Sequence, residues 1–343
     1  MDKDLKQYCP AELRRLVASY GQKPFLADYL FSFIHQKHVA DLKRVTPLPA
    51  VFRDRLVQDD YSISALQLAE QHHDPDGTTK FVFDLPGGGR IETVRLSDHG
   101  RNTLCLSTQA GCRMGCAFCA TGQLKFERNL TAAEIVDQVY QAQRVCGTIH
   151  NVVYMGMGEP LDNLDAVMRS VELLNDRHGA DIGIRRITLS TCGLPEGISK
   201  LAAWSLHPRL AVSLHAADDP TRQRLMRIGH KYPLGRLLAA LRDYQRQTRR
   251  RMTIEYCLVH TVNDSDDQAR LLTELLKGLN VHVNLIEMNP FAGCPFVPSP
   301  PRRIRAFADI LTNAGVEAVI RYRRGRSIKA ACGQLGATQL ETH

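Results

Sequence analysis

The run Gly111-Cys112-Arg113-Met114-Gly115-Cys116-Ala117-Phe118-Cys119-Ala120-Thr121-Gly122 places three cysteines within eight residues, directly after the strand-like stretch Thr103–Gln109. Three thiolates from one short loop can converge on a small inorganic centre, but they leave a four-iron cluster one ligand short. Structural zinc needs four protein ligands, usually in paired sets, and no second half follows at a suitable spacing. Buried core thiols are the other alternative, but glycine-flanked cysteines at this spacing pack no helix face. The run therefore predicts an iron–sulfur cluster on Cys112, Cys116 and Cys119, with one iron open for chemistry.

Beyond this loop, short β-branched apolar runs alternate with helical patterns, which is typical of a parallel sheet built from βα units. Seven candidate strands fall short of the eight in a closed barrel, and candidate functional residues follow their carboxyl ends, where such barrels place their sites. We therefore predict an α/β fold, a partial (β/α)6-type barrel with one extra strand. The candidate strands are Thr103–Gln109, Asn151–Gly156, Arg186–Thr191, Leu210–His215, Met252–His260, Val281–Met288 and Val316–Arg321.

The sequence before the barrel has the pattern of a smaller module. Residues 11–60 have the periodicity of two or three short amphipathic helices. The runs Lys80–Leu85 and Arg90–Leu96 flank a turn of proline and three glycines, which predicts a β-hairpin. We place a boundary near residue 98, so that residues 1–98 form a helical module plus hairpin, interpreted as an RNA-docking element. Residues 99–343 form the barrel and a C-terminal cysteine loop.

Composition places the chain in a broad class. Its 343 residues are 44% hydrophobic, which is enough for a sizeable core. No run of about 18 apolar residues is present to span a membrane, and Met1–Lys6 lacks the apolar centre of a secretory signal. We therefore expect a cytoplasmic protein without membrane contact. Its ten cysteines are then expected to be reduced, with some serving as ligands or catalysts.

Positive charge is concentrated toward the C-terminal end. The net charge is +8, and the segment Pro301–His343 holds eight basic and three acidic residues. Such a patch fits a polyanionic partner, because phosphate contacts release counterions. A second cluster, Arg246 with Arg249, Arg250 and Arg251, extends it. A solvated surface face is the alternative for either cluster.

A second group of candidate residues follows the later strands. The turn Gly156-Met157-Gly158-Glu159-Pro160 directly follows an apolar run, so its glycines allow close approach of a ligand to the backbone. Glu159 offers a carboxylate to an ammonium group. An ordinary tight turn is the alternative for this motif. For the polar residues that follow the later strands, the alternative is a helix cap or a core polar group. Their shared position predicts a polar rim formed by Ser190, Ser213, Leu214, His215 and Asn289.

The segment Arg323–Leu335 places one more cysteine, Cys332, on a glycine-flanked and strongly basic loop. Nearby positive charge lowers the pKa of a thiol and makes its thiolate a competent nucleophile. A buried inert cysteine is the alternative. The loop therefore predicts a nucleophilic Cys332.

Five motifs and the hairpin of Glu92 occur together over nearly the whole chain. They resemble the RlmN/Cfr family of radical S-adenosylmethionine (SAM) RNA methyltransferases, and the cysteine pattern alone resembles the radical SAM superfamily. The motifs are Cys105, the loop Gly111–Gly122, the turn Gly156–Pro160, Asn289-Pro290-Phe291 and Ala330-Ala331-Cys332-Gly333-Gln334-Leu335.

The resemblance implies two cofactors: SAM and one [4Fe-4S] cluster that is held by three cysteines. The open iron binds the amino and carboxylate groups of SAM. An electron from a donor such as flavodoxin or ferredoxin then cleaves SAM to a 5′-deoxyadenosyl radical. The residues implied to contact SAM are Gly158, Glu159, Ser190, Ser213, Leu214, His215 and Asn289.

The resemblance also implies a division of labour between two further cysteines. Cys332 takes a methyl group from one SAM, and the radical formed from a second SAM removes hydrogen from that methyl. The methylene radical adds to an adenine ring carbon, and the covalent adduct resolves as Cys105 forms a transient disulfide with Cys332. Glu92 matches a residue described as the proton acceptor, and Cys105 is its rival for that role. Glu92, Cys105 and Cys332 are thus the implied catalytic residues.

The implied substrate is an adenine of RNA. Carbons 2 and 8 of adenine are poor nucleophiles, so radical chemistry from a cofactor is needed, and the base must leave its stack to reach a buried cluster. The run Glu159-Pro160-Leu161-Asp162-Asn163 resembles RlmN more than Cfr, which implies methylation of carbon 2. The resemblance also implies 23S ribosomal RNA and transfer RNA as substrates. We expect the enzyme to be a monomer.

Several alternatives stay open. Cys192 stands where a serine is usual in the family, and Ser327 and Lys329 replace acidic residues, so the RNA target is open. Methylation of carbon 8 is one alternative, and a radical SAM enzyme acting on a small molecule or protein is another. A non-catalytic, zinc-bearing RNA-binding protein is the alternative from a different class.

Overall fold

Strands and helices alternate along most of the chain, and the computed structural model describes residues 3–321 and 323–341. The strands are β1 Gln67–His73, β2 Thr79–Asp84, β3 Arg90–Asp98, β4 Arg101–Cys105, β5 Gln109–Ala110, β6 Arg128–Asn129, β7 Asn151–Tyr154, β8 Ile187–Thr191, β9 Arg209–Ser213, β10 Met252–Leu258, β11 Val281–Glu287 and β12 Ala318–Arg321. The helices are α1 Pro10–Ser19, α2 Leu26–His35, α3 Ala50–Gln58, α4 Ala132–Cys146, α5 Leu164–Asn175, α6 Pro195–Ala203, α7 Asp219–Leu225, α8 Leu234–Thr248, α9 Asp266–Leu275, α10 Pro301–Asn313 and α11 Ala337–Glu341.

Seven parallel strands form the part of the sheet that carries the site. They are ordered β4-β7-β8-β9-β10-β11-β12, each hydrogen-bonded to the next in parallel register. Each begins within two residues of its predicted start. The prediction of a partial barrel with one extra strand is confirmed. Because parallel strands end at the same edge, the loops after β4, β7, β8, β9, β10 and β11 meet there.

The predicted hairpin extends this sheet rather than standing apart from it. Strands β2 and β3 pair in antiparallel register with Val82 opposite Glu92, and β3 pairs with β4 with Val94 opposite Cys105. An unpredicted strand, β1, pairs with β2 at the edge of the sheet and is mostly exposed. The proposed boundary near residue 98 falls in the turn between β3 and β4, and the division into two domains stays a prediction.

The crossover helices cover the sheet because one face of each is apolar. Helix α4 begins with a capping box, in which Thr131 Oγ1 accepts from the Glu134 N–H and the Glu134 carboxylate accepts from the Thr131 N–H. Its inner face contributes Ile135, Val136 and Val139 to one core shared with the strands and the N-terminal helices. None of the helices in the described part of the chain is long and apolar enough to cross a bilayer.

The N-terminal helical segment is fixed to the barrel through α4. Lys6 Nζ lies 2.5 Å from Asp137 Oδ1, with both side chains almost fully buried, and Asp137 Oδ2 accepts from the Leu66 N–H at 2.7 Å. His35 Nδ1 and the Tyr140 hydroxyl are 2.6 Å apart in the same interface. Buried charges are tolerated only when paired and hydrogen-bonded, so this contact specifies how the helices dock.

We expect Asp137→Ala to destabilise the protein strongly. It would leave the Lys6 ammonium buried without a counter-ion, which costs about 3–5 kcal/mol. Urea denaturation followed by circular dichroism measures the effect as a lowered midpoint. The matched control is Asp28→Ala, which breaks the exposed Arg14–Asp28 pair and should change the midpoint little. Equal midpoints for the two variants would contradict this account of the docking.

Candidate active site at the cysteine loop

The cysteine loop, residues 111–122, is held in place from two sides. Gly111 has φ +74°, and a Cβ there would lie 2.2 Å from the Lys125 carbonyl oxygen, so only glycine fits. On the other side, the Ala117 N–H donates to the Leu225 carbonyl at 2.9 Å, and Cys116 forms an isolated bridge with Met226. The loop therefore lies between the segment that precedes β6 and the C-terminal end of α7.

The three loop thiols are partly buried and close enough to influence one another. Burial is the main reason that the pKa of Cys112 is raised to about 12, and it also raises the pKa values of Cys116 and Cys119. The neighbouring thiolates and the Glu159 carboxylate raise the pKa of Cys116 further. Thiolates in this environment need a strong positive partner, which cluster iron provides. The donor set therefore fits a four-iron cluster with one open iron.

No three His, Cys, Asp or Glu side chains of residues 3–321 and 323–341 are arranged to hold a single metal ion. A four-iron cluster makes a different demand, because each cysteine binds its own iron and the sulfurs need not converge on one point.

The turn after β7 brings Glu159 to the cysteine loop. Gly158 has φ +97°, and a Cβ there would lie 2.6 Å from the Gln109 Cβ, so the turn requires glycine. The buried Glu159 carboxylate accepts from the Leu161 N–H at 2.9 Å and from the Cys192 N–H at 2.7 Å. Burial raises the Glu159 pKa against these hydrogen bonds. Each oxygen keeps acceptor capacity for an ammonium group beside the loop.

The predicted rim residues divide into two kinds. Ser190 and Ser213 lie at the ends of β8 and β9, whereas the Leu214 side chain packs in the core and offers only backbone groups. His215 is buried against Phe118 of the cysteine loop, with ring centroids 4.9 Å apart, and its Nδ1 accepts from the Cys257 N–H. Burial lowers the His215 pKa to about 3, so the ring is neutral and its proton resides on Nε2.

Asn289 links the rim to the C-terminal loop. Its Nδ2 donates to the Cys332 carbonyl at 3.1 Å, and its buried Oδ1 has no hydrogen-bond partner among the described residues. An unsatisfied buried acceptor is costly, so this oxygen is suited to receive a hydroxyl or amino group of a bound cofactor.

The C-terminal loop, residues 330–337, packs directly on the cysteine loop. The Ala120 N–H donates to the Gly333 carbonyl at 2.8 Å, and Thr121 Oγ1 donates to the Leu335 carbonyl at 2.7 Å. Cys332 is thereby held at the mouth of the site, where it is exposed. The negative charge of its thiolate contributes to the raised pKa of Cys105 at the end of β4, after the main effect of burial. The structure thus brings Cys105, Cys332 and the cysteine loop together.

One expectation about Cys332 is wrong. The basic loop does not lower its thiol pKa, which is raised, first by desolvation and then by Glu255, against the opposing effect of Arg321. The arginines of the loop are engaged elsewhere: Arg323 pairs with Glu287, and Arg324 bonds to the Ser97 carbonyl and to Asp98. The charges of Arg323 and Arg324 are therefore compensated by carboxylates, and the arginine that acts on the sulfur is Arg321.

Glu92 also faces the C-terminal loop. Its side chain is 2% exposed, its Oε1 lies 3.4 Å from Lys80 Nζ, and its Oε2 accepts from the Gly336 N–H at 3.1 Å. Burial raises its pKa and the Lys80 ammonium opposes that rise. Glu92 therefore anchors the segment that carries Cys332, and a role in proton transfer stays a prediction.

Sequence reasoning missed Glu255 and Lys80. Glu255 lies on β10, is buried, accepts from Asn284 Nδ2 at 2.9 Å, and is near enough to Cys332 to raise the pKa of its thiol. The sequence signal for Glu255 was a carboxylate in the middle of an apolar strand. For Lys80 it was an ammonium group at the start of an apolar strand, because charged residues are rarely buried without a partner.

Comparison with known proteins agrees with this geometry. The model of the radical SAM superfamily matches residues 106–272, and that of the ribosomal RNA large subunit methyltransferase N-terminal domain matches residues 3–61. A "Probable dual-specificity RNA methyltransferase RlmN" from Thermus thermophilus is 45% identical over 88% of this chain and 86% of its own. A "Dual-specificity RNA methyltransferase RlmN" from Syntrophobacter fumaroxidans is 42% identical over 97% and 98%. The crystal structure of a radical SAM methyltransferase from Sphaerobacter thermophilus superposes with a TM-score of 0.92 at 42% identity, over 97% of this chain and 99% of that one.

We expect Gly158→Ala to weaken binding of SAM by roughly tenfold, equivalent to about 1.4 kcal/mol. The added Cβ would collide with Gln109 and move the Glu159 carboxylate away from the cysteine loop. Isothermal titration of the cluster-loaded protein with SAM measures the affinity. The matched control is Gly235→Ala in α8, where no atom lies within 4 Å of the added Cβ. Unchanged affinity in Gly158→Ala would argue against this turn as the cofactor contact.

Proposed function

The chain belongs to the RlmN family of radical SAM RNA methyltransferases, and on that premise we propose that it methylates carbon 2 of an adenine in 23S ribosomal RNA and in transfer RNA. Its cofactors are a four-iron cluster and SAM. The relatives described above bear the name dual-specificity RNA methyltransferase, which supports two RNA substrates.

One observation carries the proposal: two loops place Cys332 beside the cluster-binding cysteines and Cys105. The Cys332 loop is fixed by donors from Ala120, Thr121 and Asn289, so the sulfur cannot drift from the cysteine loop. A radical enzyme acting on a small molecule has no use for two further thiols, Cys332 and Cys105, beside the three that bind the cluster. Carriage of the transferred carbon on Cys332 gives both thiols a task.

The residues then divide the work as follows. Cys112, Cys116 and Cys119 hold the cluster, while Glu159, Ser190, Ser213, His215, Asn289 and the backbone at Gly158 and Leu214 hold SAM. When bound, these cofactors supply the methyl group and a 5′-deoxyadenosyl radical that abstracts hydrogen. Cys332 Sγ accepts the methyl, and it must lose a proton to do so. Because its pKa is raised, the thiolate forms only as the electrophile arrives, and exposure to water does not leave it reactive in the resting enzyme.

Cys105 completes the cycle by releasing the RNA. Its thiolate attacks Cys332 Sγ, the bond between that sulfur and the methylene carbon breaks, and the electron pair stays on carbon, which takes up a proton to become methyl. The ten cysteines are all free in the structure. The proposed disulfide forms once per cycle, and a dithiol reductant must restore both thiols. Glu92 is proposed as the group that receives the ring proton, with Cys105 as its rival.

The partners follow from the chemistry. An adenine reaches the loop mouth only when unstacked, which favours loops and bends of RNA. The cluster needs a one-electron donor of the flavodoxin or ferredoxin class. We propose a cytoplasmic monomer, with the segment of residues 1–98 assisting RNA docking.

Two alternatives are distinguished by simple readouts. Methylation of carbon 8 would give a different nucleoside after digestion of the product RNA. The zinc-bearing RNA-binding protein would give a colourless preparation with stoichiometric zinc, whereas the family cofactor gives a brown, oxygen-sensitive one.

We expect the two thiols outside the cluster to fail at different steps. Cys332→Ala should keep the iron content and form no methylated protein and no methylated adenine, because the carbon must first reside on that sulfur. Cys105→Ala should accept the methyl and attack RNA, and then stall as a covalent protein–RNA adduct. Denaturing gels of each variant with target RNA, SAM and reductant measure this.

Cys146→Ala, on the C-terminal turn of α4, serves as the matched control and should turn over normally. Normal turnover by Cys105→Ala, or no adduct despite methylated Cys332, would refute the division of labour.

We expect Arg326→Ala to weaken RNA binding in a salt-dependent way. Arg323 and Arg324 are paired, whereas Arg326 is exposed on the loop before Cys332, so it is the better candidate for a phosphate contact. Loss of one contact should reduce the slope of log affinity against log salt by about 1. Filter binding at several salt concentrations measures it. Arg185→Ala, exposed before the amino end of β8, is the control, and equal slopes for both variants would count against the contact.

A further inference from the structure

Arg222 on α7 is the largest side chain that is fully buried in the protein, with 0% exposure. Its Nη1 donates to the Tyr232 carbonyl at 3.0 Å and its Nη2 to the Cys192 carbonyl at 2.7 Å. Its Nε is buried and has no hydrogen-bond partner among the described residues. Both of its acceptors are neutral, so the guanidinium charge itself is not neutralised by them.

Elsewhere in the interior, buried charges are paired with each other. The ion pairs in which both side chains are buried are Lys6–Asp137 and Lys80–Glu92 within the described part of the chain, and Arg222 takes part in no ion pair there. A buried charge without a counter-charge costs several kcal/mol, roughly, and arginine does not escape by losing its proton. The site must therefore supply a negative charge when the protein is complete.

Asp219 acts on Arg222 without forming an ion pair with it, and the cysteine loop is a second source of negative charge. Helix α7 docks on it directly, through the Ala117 N–H to the Leu225 carbonyl and the bridge between Cys116 and Met226. The Met226 N–H also donates to the Arg222 carbonyl at 2.7 Å, so the residue that bridges to Cys116 is bonded directly to Arg222. A cluster on three thiolates carries one net negative charge and gains a second on reduction.

We propose that Arg222 is a positioning residue for the electron-transfer step, whose fixed positive charge stabilises the reduced cluster and raises its reduction potential. This rests on the cluster of the proposed function and goes beyond it. In a site with few waters, a full charge acts strongly on a buried redox centre, whose potential depends on net charge and burial. The positive guanidinium of Arg222 and the doubly negative reduced cluster would each lower the desolvation cost of the other.

The same side chain also orients Glu159. Arg222 holds the Cys192 carbonyl, and the Cys192 N–H donates to Glu159 Oε2 at 2.7 Å, so a loss of Arg222 could act through this turn instead of through charge. Two variants separate these effects. Arg222→Lys keeps the charge but loses the forked donor pair, whereas Arg222→Gln keeps an amide donor but loses the charge.

The experiment is a potentiometric titration with dithionite, followed by electron paramagnetic resonance, on the anaerobically reconstituted full chain without SAM. We expect Arg222→Gln to lower the equilibrium constant for cluster reduction at least about tenfold, a shift of about 59 mV to more negative potential for one electron. Arg222→Lys should stay within about threefold of the unmodified protein. Arg224→Gln, the exposed arginine two residues further along α7, is the matched control and should not shift.

A second variant keeps the test decisive if Arg222→Gln does not fold. The carboxylate of Asp219 lies near enough to act on Arg222, and its Oδ1 accepts from the Leu234 N–H, which an asparagine preserves. Asp219→Asn should shift the potential in the positive direction, because it removes a negative charge that offsets part of the effect of Arg222 on the cluster. Equal potentials for all the variants that carry a cluster would overturn the inference and leave the proposed function intact. A protein without any four-iron cluster would overturn the proposed function itself.

Discussion

Hydrogen bonds between two loops far apart in sequence are the constraint on which the site depends. Thr121 Oγ1 and the Leu335 carbonyl are separated by 214 residues and lie 2.7 Å apart. Together with the Ala120 N–H bond to Gly333, this contact brings the sulfur of Cys332 to the cluster-binding cysteines. Without it, the three-cysteine loop would still be complete, but Cys332 would not be held beside that loop, as the proposed transfer of a carbon through its sulfur requires. The chemistry thus depends on the closure of the barrel mouth by its own C-terminal segment.

Burial affects the cluster-binding thiols and Cys105 in the same way, but the proposed chemistry needs the former as thiolates and the latter as a protonated thiol. The pKa values of Cys105, Cys112, Cys116 and Cys119 are all raised chiefly by desolvation, so each of these thiols by itself resists ionisation. Iron compensates three of them permanently. Cys105 has no such partner and is expected to ionise only when the sulfur of Cys332 becomes its target. A raised pKa therefore suits a resolving thiol, because it keeps the thiol protonated while the radical step proceeds nearby.

Local patterns predicted the parts of the molecule that local physics determines. The seven parallel strands and the hairpin followed from apolar runs and turn residues. The assignment of the cluster ligands rests on spacing and resemblance and stays a prediction. What the sequence could not give was the partner of each charge. Arg323 lies in a basic run yet pairs with Glu287, and the thiol that this run was expected to activate is instead affected by Glu255. Pairings between strands 30 or more residues apart depend on register, which no local window contains.

The buried charged residues near the barrel mouth all hold loops of that mouth in place. Glu92, Glu159 and Arg222 lie on different elements, and each is linked by a hydrogen bond to the backbone of a loop at the mouth of the barrel: the Gly336 N–H, the Cys192 N–H and the Cys192 carbonyl. Charged groups in a low-dielectric interior are expensive unless they are compensated, and a fold selected only for stability would replace them with apolar side chains. Glu92 is compensated by the Lys80 ammonium, whereas Glu159 and Arg222 form no ion pair among the described residues, so we infer that their compensation comes from what binds at this edge of the sheet. The hairpin that carries Glu92 is accordingly part of the catalytic edge, since it reaches across β4 to hold the loop of Cys332.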